Sequence, residues 1–477
     1  MSVSGNATPT FLARLPEALV LTFNRHPRMR ALQVKDEFAM AEIQPQITLE
    51  TVSKLSLLKI RTISGHEGQE TVKDSWEKFA ERHSNRPINR FTHFPYYVRV
   101  LQYPDQRRAR LFLCCDHYQS DGISGLVVLN DIVTFASLLS LKKTNQDKQV
   151  ADRLTARQQE LPLRKPLYEL WLDSMPWTAF FARRALQLLK TLIFSDASMQ
   201  FKPVITPRVD QKDLMMPIQA NSSSVLFGQG LADNMERALE RCRAENVTLF
   251  GAITAAVVVA YYVTCDEEKR PQSLPFKLGF EVVANMRGRV PEPVPEVQVG
   301  TYMNCYALEC LLKQGVDMET TTFWDLARKT RAELDAHLAG VMAPIRLIVV
   351  DEFITTAAMK DTIEVLEMPY SCSGDTMVSN IGRYEYETTL AFQTEDDNTV
   401  EDLKIDHVHV GGAFPNLGTA TVLYVTSIDS LSYGFMHKYE HAIGEKLFKA
   451  MVETIERVGE IGGQESMLDV ASAVQQT

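Results

Sequence analysis

Apolar residues recur at helical spacing near the start of the chain, at Leu12, Leu15, Leu19 and Phe23, and the pattern stops at His26-Pro27, where proline disfavours continuation. This predicts a first helix with only a short segment before it. Residues 38–47 and 56–63 read as strands, Gly65-His-Glu-Gly68 as the turn that follows, and 71–83 as a helix. Tyr96, Val98 and Val100 alternate along residues 94–102, and Pro104-Asp105 joins them to a continuous apolar run at 111–115, a hairpin pattern. A run of that length fits a strand covered on both faces. After it, Leu126, Leu129, Ile132, Val133, Ala136 and Leu139 form the apolar face of a helix.

Residues 142–165 are polar and charged and predict a solvated excursion. Residues 176–194 combine Trp177, Phe180, Phe181, Leu186, Leu189 and Ile193 with Arg183, Arg184 and Lys190. Two readings stand for them: a helix packed on its own domain, or an interfacial helix in weak association with a membrane or covering a greasy substrate. Residues 195–224, with Pro203, Pro207 and Pro217 and little periodicity, predict a linker with a boundary near Pro207, giving halves 1–206 and 207–477.

The second half opens on a strand at Val225 and a helix over 232–244, after which Thr248 is placed to cap a small-residue helix. Phe276, Leu278, Phe280 and Val282 alternate as a strand that delivers Asn285 and Arg287 at its end. Residues 323–338 predict a helix, 345–350 and 406–410 short strands, 419–428 and 432–439 paired strands, and 446–458 a closing helix. Residues 459–477 read as a frayed tail.

At 477 residues the chain suits two domains, and 45% hydrophobic with 23% charged residues is a globular composition. The net charge of -10 excludes a general nucleic-acid binder. Seven scattered cysteines, with Cys114 and Cys115 inside the apolar strand as small hydrophobes, fit a reducing compartment. No Cys-x-x-Cys pair or His-Glu-x-x-His helix occurs, so no metal is expected. Residues 1–10 carry no signal-peptide pattern, so a cytoplasmic setting is expected; a monomer is expected separately. The apolar stretch 249–263 falls short of the roughly 20 residues that span a bilayer and is expected to be a buried helix, so no transmembrane segment is expected.

The chemistry concentrates where the 111–115 run ends. His117, Asp121 and Gly122 form His-x-x-x-Asp-Gly between that strand and the next helix. A neutral imidazole is the natural general base near pH 7, with an acid four residues on to fix the loop. The bland alternative is a loop in which His117 ends a strand and Asp121 caps a helix. No Gly-x-Ser-x-Gly elbow is present, and Ser120 and Ser124 sit in the wrong context for a serine nucleophile.

The motif resembles that of the thioester-dependent acyltransferase superfamily, which includes chloramphenicol acetyltransferase, plant BAHD enzymes, alcohol O-acetyltransferases, polyketide-associated O-acyltransferases and condensation domains. Arg25-His-Pro-Arg-Met-Arg30 is similar to the family's His-Pro-x-Leu-Arg segment, Asn285-Met-Arg-Gly-Arg289 with Gly300-Thr-Tyr-Met-Asn304 to its Arg-bearing strand end and Gly-Asn region, and Ser379-Asn-Ile-Gly382 to its late Ser-Asn-Leu-Gly turn. The resemblance implies an α/β chain of two chloramphenicol acetyltransferase-like domains, each a mixed β-sheet flanked by helices, with the active-site tunnel between them. Relatives carry a strand before the first helix, and the short start of this chain departs from that.

The resemblance further implies acyl transfer from acyl-CoA, as co-substrate with no bound cofactor, to a hydroxyl of a small secondary-metabolite alcohol. His117 would be base and then acid, with no separate nucleophile. Asp121 would be a structural partner of an arginine from the other half, matched to Arg287, whose alternative is a solvated loop arginine beside Arg289. Gly122 would give a close backbone approach or an unusual dihedral. Ser379 and Asn380 would donate to the oxyanion or substrate, or form a simple Ser-Asn turn. The BAHD Asp-Phe-Gly-Trp-Gly segment is missing, with Gly411-Gly-Ala-Phe-Pro415 in comparable territory, and the family's doubled histidine is Asp116-His117 here. A condensation-type enzyme using carrier-protein thioesters and a silent binding protein on the same scaffold are the competing readings.

Overall fold

The computed structural model describes residues 1–35, 40–64, 75–141, 148–174, 202–208, 223–265, 275–339, 374–394, 399–413 and 419–476, together with residues 177, 180, 181, 184, 185 and 372. In chain order the helices are α1 (Thr8–Arg25), α2 (Leu49–Lys54), α3 (Trp76–Ser84), α4 (Gly122–Leu141), α5 (Lys148–Arg157), α6 (Leu167–Ser174), α7 (Ala232–Ala244), α8 (Leu249–Thr264), α9 (Phe323–Ala339), α10 (His441–Glu456) and α11 (Met467–Gln475).

The first of two six-stranded sheets is built from β1 (Ser2–Ser4), β4 (Leu58–Thr62), β5 (Tyr96–Tyr103), β6 (Arg108–Cys115), β11 (Thr389–Gln393) and β12 (Val400–His407), and β2 (Ala31–Gln33) with β3 (Ala41–Ile43) form a separate hairpin. Its order is β11-β12-β1-β6-β5-β4, antiparallel except for the parallel β4–β5 pair. The second sheet, in the order β7-β14-β13-β10-β8-β9, uses β7 (Ser224–Gln229), β8 (Phe280–Asn285), β9 (Met303–Ala307), β10 (Gly374–Arg383), β13 (Thr419–Ser427) and β14 (Leu431–His437), with β10 parallel to both β8 and β13. Both sheets are mixed and flanked by helices, as expected.

Each sheet buries a face of its own. Phe11, Leu15, Leu19 and Phe23 of α1 and Leu126, Ile132, Val133 and Phe135 of α4 join Val98, Val100 and Leu111 in one core. In the second half the mostly apolar α8 lies in the middle of the other core, against α9, α10 and α11. Thr248 caps α8, accepting the Gly251 amide at 3.4 Å. Among the described residues α4 is the one helix long and apolar enough to cross a membrane, but most of it is buried between α1 and the first sheet.

Several expectations are corrected. The short start does supply a strand: β1 pairs with both β12 and β6, inside the first sheet. The polar stretch 142–165 contains α5, whose Leu154 is buried and whose Arg157 reaches a carboxylate on α4. The tail is not frayed: α11 begins on a reciprocal Ser466–Asp469 capping box and buries Met467, Val470, Ala471 and Val474. The strand at 38–47 is the three-residue β3, and Phe276 makes only an isolated bridge before β8. Cys115 is exposed rather than buried, and all seven cysteines are free. The turn at 65–68, the strand at 345–350, most of the 176–194 helix and most of the linker lie outside the described residues; Trp177, Phe180 and Phe181, which are described, are exposed.

The halves are interlocked. A cut near Pro207 leaves β11 and β12 on the far side from the sheet they complete. Asn85, at the end of α3, exchanges two hydrogen bonds with the main chain of Ser223, and Glu81 accepts the Val225 amide at the start of β7.

Candidate active site

The hairpin β5–β6 pairs Tyr96 with Cys115, so the motif turn begins at the end of a fully paired strand. His117 and Tyr118 are exposed on that turn, and α4 starts at Gly122. Burial raises the Cys114 thiol to about 12, so it stays protonated near neutral pH.

Asp121 performs two tasks with one carboxylate. Oδ1 accepts the Ser124 amide at 2.8 Å, the N-cap bond of α4, so the capping alternative is correct as far as it goes. The same carboxylate faces Arg287, with Nη1 to Oδ2 at 2.8 Å and Nη2 to Oδ1 at 3.0 Å. Both side chains are buried, at 4% and 0% exposure. The Tyr302 amide adds a bond to Oδ2 at 2.9 Å. An ionised carboxylate has about four acceptor sites, so both oxygens of this one are well satisfied.

Arg287 comes from a 3₁₀ turn directly after β8, held by its own amide on Asn285 Oδ1 at 3.1 Å. It is not a solvated loop arginine. Nη2 also reaches Ser124 Oγ at 2.9 Å and the Gln298 carbonyl at 3.2 Å.

Ser124 was set aside in sequence as a non-nucleophile, and the structure gives it a different task. Its hydroxyl accepts from Arg287 and from the Gly300 amide at 3.0 Å, with its single proton placed for Asp121 Oδ1 or the Gly300 carbonyl, both at 2.8 Å. Residues 300–302 thereby clasp the motif from the other half. Thr301 Oγ1 completes the clasp, donating towards the carbonyls of His117 at 3.3 Å and Tyr118 at 3.2 Å.

Gly122 is needed for space. A Cβ there would lie 2.8 Å from Cδ1 and 2.9 Å from Cγ1 of Ile381 on β10, so the close approach is present. Ser379 and Asn380 precede that contact on the same strand. Asn380 Oδ1 accepts the Gly382 amide at 3.1 Å, the β10–β13 register shifts between Asn380 and Gly382, and Gly382 has φ +91°. The segment is thus a turn-like bulge at the strand end.

The His-Pro segment lies behind the site as scaffolding. His26 Nε2 meets Asp131 Oδ2 at 2.7 Å, Arg25 Nε meets the same oxygen at 3.0 Å, and Arg157 Nε meets Oδ1 at 3.0 Å. Burial alone would raise the Asp131 carboxyl, but the hydrogen bond from His26 and the nearby Arg157 and Arg25 charges hold it below its ordinary value. One carboxylate therefore ties α1, α4 and α5 together. Among the described residues no group of three His, Cys, Asp or Glu side chains is placed to hold a metal ion.

Two mixed six-stranded sheets with a motif loop clasped between them define the chloramphenicol acetyltransferase-like fold. Solved structures agree: the TRI3 trichothecene 15-O-acetyltransferase of Fusarium sporotrichioides is similar at TM-score 0.62 and 10% identity, over 96% of this chain and 89% of that one. The SgcC5 protein of Streptomyces globisporus is similar at TM-score 0.55 and 14% identity, over 96% and 91%. The first condensation domain of the CDA synthetase is similar at TM-score 0.55 and 12% identity, over 96% and 89%. The alcohol acetyltransferase family model matches residues 83–405, and the chain belongs to that family. It is an acyltransferase. Comparison with curated protein sequences finds no match.

Proposed function

We propose that this protein is an O-acyltransferase that moves an acyl group from an acyl-CoA thioester to a hydroxyl of a small-molecule alcohol, with His117 as general base. The observation that carries the reading is the clasp: buried Asp121, Arg287 and Ser124 fix the turn that presents His117. The imidazole takes the proton of the acceptor hydroxyl as its oxygen attacks the thioester carbonyl. The tetrahedral adduct collapses, the C–S bond breaks, and the imidazolium returns the proton to the thiolate, giving ester and free thiol. Asn380, whose oxygen accepts the Gly382 amide, keeps its NH₂ group as a donor for substrate or oxyanion in this reading. No metal or resident cofactor enters these steps, and a cytoplasmic setting fits a free coenzyme A thioester.

The test is a panel of acyl-CoAs with a panel of primary and secondary alcohols, followed by free-thiol release and by mass spectrometry of the ester. Thiol release that depends on acyl-CoA and rises with an alcohol supports the reading. The likeness to a condensation domain makes a carrier-bound thioester the second donor. Release from an acylated carrier protein, with none from any acyl-CoA, would replace the first reading by the second.

A further inference from the structure

The residue before His117 is an aspartate, and the structure gives it a partner. Asp116 forms a two-point ion pair with Arg90, Nε to Oδ2 at 2.5 Å and Nη2 to Oδ1 at 2.7 Å. The two side chains are only 11% and 10% exposed. Arg90 also lies over the ring of Tyr118, with its guanidinium carbon 4.8 Å from the centroid. Arg90 thus grips the residue on each side of His117 while remaining in the first half of the chain.

The backbone makes the grip stiff. The Asp116 amide donates to the Pro95 carbonyl at 2.8 Å, and the Tyr118 amide donates to Asp116 Oδ1 at 3.0 Å. The Arg90 carbonyl in turn accepts the Gln33 amide from β2 at 2.9 Å. A guanidinium is suited to this task because its planar fork fixes a carboxylate at two points and stacks on an aromatic face, which an ammonium does not match.

We infer that Arg90 and Asp116 are positioning residues for the acyl transfer: they set the direction of the His117 imidazole from the first half, opposite the Asp121–Arg287 clasp. This rests on the reading of His117 as the base. The turn is then held from both halves, and loss of either hold leaves the base present but misdirected. Misplacing a catalytic group by about 1 Å is worth up to about 10²-fold in rate.

The test uses the full chain with the acyl-CoA and alcohol that turn over best, comparing Arg90→Gln, Asp116→Asn, the double variant and His117→Ala with the wild type. Each single variant should lower kcat about 10- to 100-fold with KM for both substrates within about twofold, and the double variant should be no worse than the poorer single. Arg90→Lys keeps the cation without the two-point geometry; it should fall between Arg90→Gln and wild type, and it serves as the variant if Arg90→Gln does not fold. Wild-type kcat in both single variants would overturn the proposal. So would a raised KM at unchanged kcat, which would make Arg90 a substrate contact, or a kcat loss that only follows the unfolded fraction in a melt. Undiminished turnover in His117→Ala would instead overturn the reading of the base, a separable failure.

Discussion

At the scale of single residues, the site depends on a charge pair taken out of water. Removing one partner of a buried pair strands the other charge and costs roughly 3–5 kcal/mol. Asp121→Asn and Arg287→Ala should each lower the melting temperature together with turnover, and the double variant should lose less than the sum, with a coupling of about 0.5–3 kcal/mol. Additive losses in that cycle would contradict the geometry. Gly122 makes a second residue-scale claim: a side chain there must displace Ile381, and overpacking costs typically about 1–3 kcal/mol. Gly122→Ala should therefore be destabilised, and Ile381→Val in the same chain should restore part of the loss; no recovery would mean that Ile381 is not what the new methyl meets. His117, Asp121, Gly122 and Arg287 were legible because spacing and ordered motif matches single them out. Ser124 was not, and Gly300 and Tyr302 were singled out only as part of the Gly-Asn match without their roles, because a hydroxyl and main-chain amides leave no trace in residue type or period.

At the scale of elements, most helices were readable, including the short α3 and the polar α7, but α5 and α11 were not. α4 and α8 announce themselves through burial. α5 makes its attachment through Leu154, a partly buried Val150 and Arg157, too little for a periodic signal in a charged stretch. The signal for α11 was there, in Ser466 with Asp469 and in apolar positions 467, 470, 471 and 474, but residues 459–477 were read as a terminal tail. The Asp131 tie offers a test at this scale. Its carboxyl is held below its ordinary value, so the stability it contributes is present above the unfolded pKa near about 3.9 and is lost as pH falls through the lower folded value. Asp131→Asn should melt well below wild type at pH 7, and the gap should close on acidification. A gap that is constant with pH would show that the carboxylate charge is not what binds α1, α4 and α5.

At the scale of the whole molecule, the two-sheet architecture was anticipated through the resemblance, but the crossing of β11 and β12 into the first sheet was not, since strand pairing at that sequence separation has no local signature. The segment at 202–208 is pinned to the second sheet by Asp375, which accepts the Val204 amide at 2.7 Å and the Gly279 amide at 2.8 Å. Burial raises this carboxyl to about 7 against the effect of those two bonds. A raised folded value means that the contribution is full below the unfolded pKa and is lost as pH rises towards about 7. The wild type should show that decline in melting temperature, and Asp375→Asn should lack it; the same slope in both would assign it elsewhere.

The most direct measurement of the central claim is turnover by His117→Ala beside a circular-dichroism melt. General-base assistance is worth typically about 10²–10⁴-fold, so the variant should keep the wild-type melt while ester formation and thiol release from acyl-CoA fall by that order. A folded His117→Ala protein that acylates the alcohol at the wild-type rate would contradict the account.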